Sequence, residues 1–78
     1  MDNRTEISFE IKERIGVICT YDNGWSKEVN VVSWNGSVPK VDVRDWSPDH
    51  QRMTKGITLH EEEARGLVRV LADRYKEV

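Results

Sequence analysis

The chain is poor in the features that build secreted, membrane-embedded or catalytic proteins. It has one cysteine and two prolines in 78 residues. A lone Cys19 excludes an internal disulfide framework. No apolar run approaches the roughly 20 residues that cross a bilayer. The opening MDNRTEISFE carries acidic residues and no apolar h-region, so no secretory signal is expected and a reducing cytoplasm is the expected setting. No glycine-rich phosphate loop is present. His60-Glu61-Glu62-Glu63 begins like a zinc helix, but the position where a second histidine belongs is Ala64. His50 and His60 have no serine or cysteine nucleophile matched to them, and Cys19 lies in an apolar strand where a buried packing role is expected. Catalysis, a metal, a cofactor and a small-molecule substrate are therefore not expected. The formal net charge of −2 argues against indiscriminate binding to nucleic acid by bulk charge.

What is present fits one domain, residues 1–78, with 37% hydrophobic and 33% charged residues and no linker or internal repeat. A chain this short buries only about 60% of its unfolded surface, so a partner subunit is expected. Ile7, Phe9 and Ile11 alternate with Ser8, Glu10 and Lys12, the period of a half-buried strand. The parity resumes at Ile15, Val17 and Cys19, and Glu13-Arg14 and Gly16 mark a bend or bulge between the halves. Tyr21 to Trp25 reads as a turn, 27–34 and 40–46 as strands, 47–55 as a loop, and Gly56 to Leu59 as a short fourth strand. Pro39, lacking an N–H, belongs at a strand start or an edge.

An amphipathic helix is predicted from about Glu61 to Lys76. Ala64, Leu67, Val68, Leu71, Ala72 and Tyr75 give its apolar stripe, and either Thr58 or His60 serves as its N-cap. Gly66 costs about 1 kcal/mol inside a helix, and close approach of the same helix from a second copy is a reason to keep it. The order β-β-β-β-α, without strand-helix-strand alternation, predicts an α+β fold built on an antiparallel meander.

The central hairpin, Val31 to Trp46, carries the chemistry. Asn35-Gly36 suits a tight turn with positive φ angles. Val29, Val31, Val41 and Val43 share one face, and Trp34, Lys40, Arg44 and Trp46 share the other. Unpaired bases stack on indole at about 1–3 kcal/mol each, and lysine or arginine neutralises the phosphates between them. Trp34 and Trp46 are thus expected to lie bare as stacking platforms, with Lys40 and Arg44 beside them. Trp25 is a further aromatic candidate, and Arg52, Lys55 and His50 can close over a strand from the loop. A core role for each ring, an ion pair of Arg44 with Asp42 or Asp45, and a plain solvated loop are the competing structural readings. A protein-interaction module that takes a peptide on the aromatic face, and a single-stranded RNA partner, are the alternative functions.

Trp34-Asn35-Gly36, Val41-Asp42-Val43-Arg44-Asp45-Trp46 and Lys55-Gly56-Ile57-Thr58-Leu59, followed by the helix, resemble the positive cofactor four family of transcriptional coactivators, most closely its bacterial YdbC-like branch. The resemblance spans about residues 25–75. It implies a strongly curved four-stranded antiparallel sheet followed by one C-terminal helix, which pairs two copies into a homodimer. Leu67, Val68, Leu71, Gly66 and Tyr75 would form that interface. It also implies binding of single-stranded DNA by Trp34, Arg44, Trp46 and Lys55, with Trp25 near a basic contact position and a role in transcription or DNA maintenance. Ser37 and Val32 depart from the family's pattern of basic residues, and Lys40 is placed to compensate.

Overall fold

A computed structural model describes residues 7–76. Four strands and one helix follow in chain order: β1 (Phe9–Thr20), β2 (Ser26–Trp34), β3 (Lys40–Trp46), β4 (Ile57–Leu59) and α1 (Glu61–Arg74). The strands form one open antiparallel sheet in the order β1-β2-β3-β4, the meander that the sequence predicts. Pro39 sits just before β3, where its missing N–H breaks no ladder bond.

Asn35 and Gly36 both take positive φ, 52° and 77°, and Ser37 N–H donates to the Trp34 carbonyl at 2.9 Å. This turn sets the register of β2 on β3, which pairs Val32 with Lys40, Asn30 with Asp42 and Glu28 with Arg44. Paired residues share a face. Trp34, Asp42, Arg44 and Trp46 therefore lie on one side of the sheet with Val32, and Val29, Val31, Val41 and Val43 on the other, as the alternation requires.

β1 is one continuous strand, with register shifts between Ile11 and Glu13, Arg14 and Gly16, and Val17 and Cys19. The predicted irregularity at Glu13 to Gly16 is thus present, and a third follows it. Each shift moves the parity, so Val17 pairs with Glu28 on the tryptophan side while Cys19 pairs with Lys27 on the valine side. Cys19 is exposed, which corrects the expectation of a buried thiol. Bulges also bend a strand and increase its twist.

The sheet is strongly curled. Trp46 pairs with Ser26 at one end of β2, and Trp34 ends the same strand. In a flat sheet eight residues of strand would separate these positions by about 25 Å. Their ring centroids lie 6.3 Å apart. The tryptophan side is therefore the inside of the curl, and the core lies there. Val32 and Trp46 are its buried apolar residues, joined by the buried polar groups Glu28, Asn30 and Asp42. The valines on the outer side are only half-buried.

Helix α1 starts at His60, whose backbone N–H donates to Glu63 Oε1 at 2.8 Å, so His60 and not Thr58 is the cap. It reaches only β3 and β4, and none of its residues is buried. Its stripe faces outward, with Leu67 42%, Leu71 46% and Val68 66% exposed. Among the described residues no helix is long and apolar enough to cross a membrane.

Candidate nucleic-acid interface

The expectation that Trp46 lies bare is wrong. Its side chain is fully buried, packed against Phe9 at 5.1 Å, Trp34 at 6.3 Å and the His50 ring at 5.6 Å. The physical reason is the curl: it folds the inner face onto itself, and loop 47–55 covers what remains. Trp46 pairs with Met53 across that loop, and Ser47 N–H donates to the Arg52 carbonyl at 2.9 Å. Trp46 thus supplies structure and offers no face to a base.

Trp34 stands at the rim of this cluster, half-buried. The Arg44 guanidinium covers one face of its ring, 4.4 Å from the centroid. Asp42, fully buried between them in sequence and space, organises both. Its Oδ2 accepts from Trp34 Nε1 at 3.1 Å and from Thr58 Oγ1 at 3.0 Å. Arg44 donates to the same carboxylate through Nε at 2.6 Å and Nη2 at 2.8 Å, and through Nη1 to the Thr54 carbonyl at 3.2 Å. The ion pair with Asp42 is therefore present, and the Arg44 side chain is only 13% exposed. Such a pair keeps its charges together, because separating them would leave one charge unpartnered out of water.

Next to Trp34 lies an open cleft of about 380 Å³, lined by Ile7, Trp34, Asn35, Arg44, Met53, Thr54 and Lys55. It joins three of the predicted residues, Trp34, Arg44 and Lys55, in one place. Lys55 is exposed, supplied by the loop that returns from β3 to β4. Gly56 makes that return possible: a Cβ there would run into the Arg44 Cβ and the Val43 carbonyl. Lys40 is half-buried on the same side of the sheet but does not line the cleft. Trp25 and Arg52 form a separate pair, with the guanidinium 5.8 Å from the indole centroid.

A second polar cluster holds the loop. His50, at φ 57°, points Nε2 at the Glu28 carboxylate, 2.9 Å from Oε2, with Arg14 Nη1 at 3.1 Å from the same nitrogen. Ser26 Oγ donates to Glu28 at 2.6 Å and Asn30 Nδ2 at 3.2 Å. Burial pushes the Glu28 carboxyl up, but the hydrogen bonds from Ser26, Asn30 and His50 outweigh it and hold the group below its ordinary value. In the loop itself Asp49 is lowered by the Gln51 N–H and the Ser47 hydroxyl.

Asp42 and Glu28 are absent from the predicted site. Asp42 was within reach of the sequence, since it shares parity with Trp34 and Arg44. Met53 and Thr54 were not, because nothing periodic marks a loop that folds back on a strand.

Residues 21–70, more than half of the chain, match the family model described as Transcriptional Coactivator p15 (PC4). A protein of Treponema pallidum (strain Nichols), described as uncharacterized, is 44% identical over 54 residues. That match covers 69% of this chain and 64% of the relative, so the chain spans a little under two thirds of the relative's length.

Proposed function

The chain belongs to the Transcriptional Coactivator p15 (PC4) family, and on that premise we propose that it binds single-stranded DNA with little sequence preference. The observation that carries this reading is the cleft where Trp34 and Arg44 meet Lys55. An indole with a stacked guanidinium gives an unpaired base a flat surface, and an adjacent lysine meets its phosphate. Duplex DNA hides the faces of its bases, so the cleft favours separated strands. Action in transcription or DNA maintenance follows from such a preference.

The working form is proposed to be a homodimer through α1. Val68, Leu71, Ala72, Tyr75 and Lys76 line a groove of about 490 Å³ on the helix, open to solvent in the single chain. A Cβ on Gly66 would meet only the tip of Arg69, so the glycine is not required by packing within the protomer. Both features suit a second helix laid against the first.

Fluorescence anisotropy with labelled oligo-dT and the matching duplex tests the reading. Preference for the single strand, weakening steeply as salt rises, is expected. Equal or negligible binding to both removes it, and salt-insensitive binding would favour a peptide partner instead.

A further inference from the structure

We propose that Arg44 acts in the cleft as a stacking plane fixed on Trp34 by Asp42, and that the phosphate charge is met by Lys55. This rests on the single-strand reading above and assigns a role within it. Three of the five guanidinium N–H groups already donate, Nη1 to the Thr54 carbonyl and Nε and Nη2 to Asp42, which occupies the Nε–Nη2 edge that could otherwise grip a phosphate. The cation is paired with a carboxylate that has no exposed surface, so the pair presents almost no net charge to a ligand. A phosphate could take the Arg44 charge only by drawing it away from the buried Asp42, which is costly. What Arg44 brings to the cleft it lines is a flat guanidinium stacked on the Trp34 ring. Lys55 is exposed and has no acidic partner among the described residues.

Asp42 is then a positioning residue. It draws donors from β2, β3 and β4: Trp34 Nε1, the Arg44 fork and the Thr58 hydroxyl. These bonds fix the rotation of the indole and the plane of the guanidinium together. Arg44 is backed by Gly56, whose missing side chain leaves it in tight contact with the returning loop. The two planes are held ready before any ligand arrives.

The salt dependence of binding separates this role from a phosphate clamp, because only charge neutralised on binding releases counterions. Oligo-dT affinity is measured across a series of salt concentrations for the wild type, Lys55→Ala, Arg44→Gln and Asp42→Asn. Lys55→Ala should flatten the plot of log K against log salt by about 0.7 for one lost single-strand phosphate contact. Arg44→Gln should weaken binding roughly tenfold by loss of the stacked plane, with the slope unchanged. Asp42→Asn keeps the side-chain shape but frees the guanidinium charge, and should steepen the slope by about 0.7. If Asp42→Asn does not fold, the contrast between Arg44→Gln and Lys55→Ala decides. A slope flattened by Arg44→Gln as much as by Lys55→Ala, or an affinity untouched by it, overturns the assignment while single-strand binding stands. A wild type that does not bind oligo-dT takes the underlying reading down as well.

Discussion

The rings of Trp34 and Trp46 lie 6.3 Å apart and within 11° of parallel, although the two residues occupy opposite ends of the β2–β3 ladder. Only a sheet rolled onto its tryptophan side brings them together. The roll divides two residues of similar sequence context into different tasks: Trp46 fills the interior, and Trp34 closes its rim beside the cleft.

Replacing each ring should separate those tasks. Trp46→Ala removes the largest buried side chain and is expected to cost about 3–5 kcal/mol, enough to unfold a domain this small. Trp34→Ala should weaken oligo-dT binding by about 1–3 kcal/mol. It should leave a folded, less stable protein, because Asp42 loses one of its donors. Urea unfolding followed by circular dichroism, together with anisotropy, measures both effects.

Gly56 and Gly16 make a contrasting pair. An alanine Cβ at Gly56 collides with Arg44 and the Val43 backbone, so Gly56→Ala should destabilise by about 3 kcal/mol. At Gly16 nothing lies within 4 Å of the added carbon, and Gly16→Ala should stay within about 0.5 kcal/mol of wild type. Denaturation midpoints of the two variants give the comparison directly.

The Glu28 cluster should make the fold sensitive to acid. Its carboxyl is held below the ordinary value when folded, so its contribution is complete above the unfolded pKa of about 4.3. That stability is lost as pH falls through the lower folded value. Urea midpoints measured between about pH 6 and pH 3 should drop for the wild type. Glu28→Gln should show a lower midpoint near neutrality and a shallower fall. An equally steep fall in Glu28→Gln would place the acid sensitivity elsewhere.

The outward stripe of α1 should set the mass in solution. The wild type is expected at twice its 9.1 kDa chain mass by light scattering. Leu71→Asp, a charge placed in the groove beside Val68 and Tyr75, should shift it toward one chain. A wild type that runs as a single chain at working concentration would remove the homodimer.

Much of the local structure was legible in the sequence for local reasons. Asn35-Gly36 announced a turn because few other pairs accept two positive φ angles, and the strands on either side begin and end within a residue of the predicted bounds. The stripe from Ala64 to Tyr75 announced the helix, which ends at Arg74 and not Lys76. The parity of Trp34, Lys40 and Arg44 placed them on one side of the sheet, and the register agrees. Trp46 escaped this reasoning. Alternation says which residues share a face, but not whether that face is wrapped inward or left open.

The same limit applied to Cys19 and Asp42. Three register shifts in β1 turned Cys19 outward, and one buried carboxylate claimed the fork of Arg44.

The sequence by itself determined the order of elements, the turn, the two-sided patterning and the family kinship, because each depends on residues a few positions apart or on their linear spacing. Only the tertiary structure decided that the aromatic side is the inside of the curl, that Trp46 is sealed while Trp34 reaches the rim, and that Arg44 is spoken for. Those outcomes depend on the rolling of the sheet and the return of loop 47–55, which bring together side chains far apart along the chain.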